Sequence, residues 1–161
     1  MGERKNEIIG KLRRQRDATI EWFRSLSPEM LSVQVYEDPD WKVKDVLAHF
    51  VTIERSMQWV FEDILQGGPG SPEDFDVDRF NRSQPQKLSG LAVEELIERF
   101  SAVRGKTIDL VASMSEEDLD RKGRHAYHGP GTLERFVRWA YEHAEEHEAD
   151  IRKALSAPSD G

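Results

Sequence analysis

Four long stretches of the chain repeat apolar residues every three or four positions, the spacing of one buried helix face. The first, about Arg4 to Leu26, sets Ile8, Leu12, Thr19, Phe23 and Leu26 on one stripe. Trp41 leads into the second, with Val43, Val46, Leu47, Phe50, Ile53, Met57, Val60, Phe61 and Ile64 inward. Gly67-Gly68-Pro69-Gly70 ends it. The third spans Ala92 to Met114, and the fourth Thr132 to Leu155. No stretch joins strand alternation to a two-residue hairpin signal, so no sheet is expected. The predicted fold class is all-α, an up-and-down four-helix bundle with long inter-helix loops. Residues 1–156 are expected to form one four-helix domain, with 157–161 a short flexible tail.

Charge narrows the partners. With 23 Lys and Arg against 31 Asp and Glu the formal charge is −8, so the general attraction to nucleic-acid phosphates is missing and no such partner is expected. The basic run Lys11, Arg13, Arg14, Arg16 shares its helix with Glu7, Asp17 and Glu21 and reads as a solvated face. Neither an apolar leader nor a membrane-length apolar run is present, which predicts a cytoplasmic protein with no membrane partner. There is no cysteine, which excludes a disulfide scaffold, a thiolate zinc site and a thiol nucleophile from the chain itself.

The histidines carry the candidate chemistry. His143 and His147 stand one turn apart on the apolar stripe of Phe136, Ala140, Ala144 and Ile151, so both face the bundle interior. His49 lies between Val46 and Ile53 on the inner face of the second helix, where it can add a third imidazole from across the core. The alternative is three core histidines hydrogen-bonded to neighbours. The helix reads His143-Ala144-Glu145-Glu146-His147, with alanine where the zinc-protease motif places its general base, which excludes that peptidase class. Glu146 and Asp150 are candidates to orient the imidazoles, or ordinary acids of a solvated face.

Trp41-Lys42-Val43-Lys44-Asp45-Val46-Leu47-Ala48-His49 and Tyr141-Glu142-His143-Ala144-Glu145-Glu146-His147 resemble the first-ligand and paired-ligand motifs of the DinB-like (DinB/YfiT) superfamily of metal-binding four-helix proteins. The resemblance covers essentially the whole chain. Phe75-Asp76-Val77-Asp78-Arg79-Phe80-Asn81 is similar to the inter-helix segment of the mycothiol-dependent maleylpyruvate isomerase branch. The resemblance implies a three-histidine site at His49, His143 and His147 for a divalent metal, zinc or nickel. It also implies transfer of a low-molecular-weight thiol cosubstrate to an electrophilic small molecule.

Zinc on three neutral imidazoles with an open position lowers the pKa of a coordinated water to about 7, or of a thiol from about 8.5. Metal-dependent hydrolysis is therefore the alternative to thiol transfer. A non-catalytic, metal-stabilised bundle that binds a small molecule, or pairs with itself as a homodimer through a helix face, is the third reading. Around the open position the candidate substrate contacts are Asn81, Trp59 and Trp139, with His125 reaching in from the loop before the last helix.

Overall fold

Each apolar stripe forms a helix within a residue or two of its expected ends in the computed structural model, which describes residues 2–157. Beyond Ala157 the expected tail lies outside the described residues. The chain opens with α1 (Glu3–Ser25), a one-turn α2 (Pro28–Leu31) and a hairpin of β1 (Gln34–Tyr36) with β2 (Trp41–Lys42). Then come α3 (Val43–Leu65), a short α4 (Val77–Ser83) and α5 (Val93–Ser113). A second hairpin, β3 (Lys122–His125) with β4 (Gly129–Thr132), leads into α6 (Leu133–Ser156). Caps set several starts: Ser27 accepts from the Met30 amide, Asp76 from that of Arg79 and Thr132 from that of Arg135.

The long helices pack around one axis, α1 and α3 each touching both α5 and α6. One half of the core joins Ile8 and Leu12 to Phe61, Ile64, Val111 and Phe136; the other joins Phe23 to Val43, Leu47, Leu96, Phe100 and Ile151. Those groupings put the start of α1 and the end of α3 at one pole. Phe50 packs on Phe100, and Gln58 donates to the Val103 carbonyl and to Thr107, so α3 and α5 run parallel. Arg4 pairs with Glu134 and Thr19 donates to Glu148, so α1 and α6 are also parallel.

The order is thus up, down, down, up, which corrects the expected up-and-down bundle. Residues 66–92 carry the chain back along the bundle between two helices that point the same way. Stripe periodicity defines which face is buried, but not the direction in which a long connection delivers the next helix.

The two hairpins are the second departure from an all-helical expectation. Their strands are two to four residues long, too short for alternation to register. In the second, His125 pairs with Gly129 across the three-residue loop Ala126-Tyr127-His128. Gly129 takes the left-handed conformation, φ +72°, that closes such a loop. Gly70, at φ +89°, bridges to Arg124, and a Cβ there would lie 2.5 Å from the Arg124 carbonyl oxygen. This contact fastens the 66–92 crossing to the hairpin. Among the described residues no helix is long and apolar enough to cross a membrane.

Between the two halves of the core lies a buried ion pair. Arg104 of α5 is fully buried and donates through Nε to both Glu54 carboxylate oxygens, at 2.9 and 2.8 Å. Its other nitrogens reach Gln15 Oε1 at 2.6 Å and the carbonyls of Leu12 at 3.2 Å and Ala140 at 3.4 Å. One guanidinium therefore ties all four long helices together.

Candidate metal centre

His49 on α3 and His143 and His147 on α6 bring their ring nitrogens within 4.8 Å of one another. His143 Nε2 lies 3.2 Å from His49 Nε2 and 2.8 Å from His147 Nε2. Nitrogens bound tetrahedrally to one ion at about 2.0–2.1 Å stand about 3.3 Å apart, close to these separations.

Proton bookkeeping points the same way. The Tyr36 hydroxyl donates to Asp150 Oδ2 at 2.6 Å, so its oxygen accepts from His147 Nδ1–H at 2.7 Å. That bond leaves a lone pair on His147 Nε2. His143 Nε2 meets two ring nitrogens, and a single proton there satisfies only one contact. A cation at the convergence satisfies all three, so the donor set fits a divalent metal.

Burial keeps the three imidazoles neutral, the form that ligates. It pushes His147 down to about 4, with Asp150 opposing, and holds His49 and His143 well below the usual histidine value, helped by the neighbouring rings. Trp139 stacks on His143 with centroids 4.1 Å apart, and Trp41 lies 4.6 Å from the His49 ring. These indoles fix the ring planes.

The nitrogens open onto a cavity of about 250 Å³ whose rim includes Tyr36, Asp38, Asp78, Asn81 and Tyr127. Ile53, Tyr127 and Trp139 also line an adjoining apolar chamber of about 60 Å³, walled further by Met57, Phe75 and Phe80. The segment 75–81 thus supplies both compartments. Asn81 lies on the metal cavity, with its Oδ1 buried and lacking a protein partner. Trp139 lines both spaces. Trp59 is 55% exposed and lies at the apolar chamber, as does His125, which is only 4% exposed. Neither borders the metal cavity. Asp150 acts on His147 through Tyr36, whereas Glu146 is exposed. Tyr36 escaped the sequence reading, since a tyrosine before a turn-rich stretch has no helical phase; its pairing opposite Trp41 in the first hairpin brings it to the site.

A family model described as the DinB superfamily matches residues 6–151. The chain belongs to the DinB superfamily. Among solved structures, this DinB superfamily member is similar to YfiT from Bacillus subtilis, described as a probable metal-dependent hydrolase with an unusual four-helix bundle topology. The identity is 17% and the TM-score 0.73, over 96% of this chain and 87% of that one. It is also similar to the colibactin self-resistance protein ClbS, solved in complex with a dsDNA, at 13% identity and TM-score 0.74, over 96% and 97% of the two chains. At these identities the likeness concerns the fold. No curated protein matches the sequence. The comparisons reach the superfamily and do not single out the mycothiol-dependent isomerase branch.

Proposed function

We propose that this chain is a metal-dependent hydrolase of a small molecule, with His49, His143 and His147 holding zinc or nickel. The observation that carries this reading is the convergence of three neutral ring nitrogens on a cavity with Asp38, Asp78 and Asn81 at its rim. When bound, such an ion acts as a Lewis acid towards a carbonyl and lowers the pKa of coordinated water. The chain's own residues do the rest. Tyr36, anchored by Asp150, holds His147 in the tautomer that presents Nε2. Trp139 and Trp41 keep His143 and His49 in plane, and Asn81 offers substrate a hydrogen-bonding group at the rim. YfiT, described in the same terms, supports hydrolysis over the alternatives.

Thiol transfer is the second reading, favoured by segment 75–81, which resembles that of the isomerase branch and lines both compartments. A nucleic-acid substrate fits less well, because Asp38 and Asp78 stand at the rim of a chain of charge −8.

The test uses protein purified without an affinity tag and loaded with zinc or nickel. Small esters, amides and other electrophiles are assayed with and without mycothiol, bacillithiol and glutathione, with metal measured throughout. Hydrolysis should require metal and no thiol. His147→Ala should abolish it, and Asn81→Ala should raise KM with metal content intact. Turnover that appears only with a thiol would replace hydrolysis by transfer.

A further inference from the structure

Large apolar side chains are seldom exposed in this chain, and most of those that are stand together. Among the described residues they are Met30, Trp59, Phe75 and Tyr127, and the last three, 55%, 36% and 62% exposed, border one opening, the mouth of the apolar chamber. Each comes from a different element: Trp59 from α3, Phe75 from the 66–92 crossing and Tyr127 from the loop between β3 and β4. Phe75 rests on Phe80 with centroids 5.6 Å apart, and Tyr127 lies against Trp139 at 5.4 Å with the rings 31° from parallel. Two of the three exposed rings are thus backed by a second ring. Apolar residues scattered singly over a surface need no explanation, whereas three converging on one opening mark a place where something binds.

Continuity with the metal cavity and charge together say what covers this mouth. Tyr127 is exposed and borders both spaces, so a molecule lying on its ring stands at the chamber and at the metal cavity at once. The chamber's lining contains no Lys, Arg, Asp or Glu, and that of the metal cavity adds only the carboxylates of Asp38 and Asp78. Arg82 meets Asp38 at 3.1 Å but lines neither space. An anionic lipid surface therefore finds no basic side chain here, and a second copy of the chain brings the same carboxylates and a charge of −8. A small uncharged molecule meets neither obstacle.

We infer that Trp59, Phe75 and Tyr127 hold an uncharged aryl body of the substrate, while the group to be cut lies over the histidines. This rests on the hydrolase reading and narrows it to compounds in which the scissile group carries such a body. A body bearing a carboxylate or phosphate is rejected, because it would leave water for an apolar surface that offers no cation. The three aromatic residues set specificity and touch no reacting atom.

The experiment is a calorimetric titration of zinc-loaded protein with acetohydroxamic acid, which brings a zinc-binding group alone, and with hydrocinnamohydroxamic acid, which adds an aryl body. The aryl probe should bind at least about tenfold tighter, a difference of about 1.4 kcal/mol that burial of roughly 55 Å² of apolar surface supplies. A carboxylate in the para position of its ring should remove most of that gain. Trp59→Gln and Phe75→Ser combined should bring the preference below about threefold with one zinc still bound per chain. Trp59→Gln alone alters an exposed helix position, so a reduced preference at an unaltered melting temperature separates a lost contact from a lost fold. Equal affinities, binding of neither probe, or a preference that survives both substitutions would overturn the inference. So would a dimer in sedimentation that Trp59→Gln disperses, or binding to vesicles of phosphatidylcholine and phosphatidylglycerol that the same variant loses, since a second chain or a lipid surface would then cover the mouth. The readout needs no turnover. Aryl preference without hydrolysis of any ester or amide sinks the hydrolase reading alone, whereas hydrolysis without aryl preference sinks this inference alone.

Discussion

Removing one member of the Glu54–Arg104 pair should destabilise the chain more than any other single polar change in the core. Arg104 is fully buried, and the Glu54 side chain is 3% exposed. Unit charges about 4 Å apart attract by about 4 kcal/mol at an effective dielectric of about 20, and an uncompensated buried charge adds its desolvation penalty. The partners are unequal, however. Glu54→Leu leaves Arg104 with Gln15 and the Leu12 and Ala140 carbonyls, whereas Arg104→Met leaves the Glu54 carboxylate with none of its hydrogen bonds. We expect about 3 kcal/mol for Glu54→Leu and about 5 kcal/mol for Arg104→Met, within the range for breaking buried pairs. In melting temperature this is roughly 6–20 °C for a chain of this size.

The double variant should recover most of the loss, because no charge is then stranded. A residue of about 1 kcal/mol remains for Gln15, whose Oε1 loses its donor while its Nε2 already lacks a partner. Urea unfolding of the metal-free chain at pH 7, followed by circular dichroism and tryptophan fluorescence, gives the four corners of the cycle. The pair also links the ligand helices: Glu54 lies one and a half turns beyond His49, and Ala140 lies almost one turn before His143. Zinc affinity should accordingly fall in both single variants and return in the double. Additive losses in the cycle, or single-variant losses below about 1 kcal/mol, would refute the reasoning.

Chelation should lower the melting temperature of metal-loaded protein, since an ion at a hundredfold excess over Kd contributes about 2.7 kcal/mol; identical melts with and without chelator would argue against the site. Tyr36→Phe removes the acceptor of His147 Nδ1–H and should weaken zinc binding about 10–100-fold in calorimetry with little change in apo stability; unchanged affinity would exclude the orienting role. In the metal-free chain His147 is pushed down to about 4 and His125 to about 3, so below about 6.5 the unfolded state takes up protons that the folded state refuses. Stability present above pH 6.5 should therefore fall on acidification by about 1.4 kcal/mol per pH unit for each such histidine, down towards those values; urea midpoints that rise between pH 7 and 5 would contradict the sign.

What the amino-acid pattern conveys here divides by the range of the interaction. The i, i+4 step from His143 to His147 and the apolar residues around them fix a shared helix face locally, and His49 sits in phase with Val46 and Ile53, so the nitrogen cluster was legible. Glu54 and Arg104 were legible by the same rule, though charge disguised them. Glu54 is in phase with Phe50, Met57 and Phe61, and Arg104 with Phe100, Thr107 and Val111, so each is a charge written into a buried stripe. The parallel run of α3 and α5 follows from how residues 66–92 cross the bundle, which no helical phase encodes.

The hairpins are harder still to read, because their placement depends on contacts such as Gly70 against Arg124 and on turns closed by Gly129. Yet they deliver Tyr36, Trp41, His125 and Tyr127 to the cavities. The helices therefore determine where an ion can be held, while the hairpins and the crossing determine which molecule can approach it. A sequence reading by periodicity accordingly reaches the candidate metal ligands before it reaches the residues that line the cavities. Variants in the second hairpin and in the 66–92 crossing, more than in the four long helices, should change what the site accepts while leaving metal affinity unchanged, whereas Tyr36 and Trp41 of the first hairpin touch the histidines themselves and should affect both.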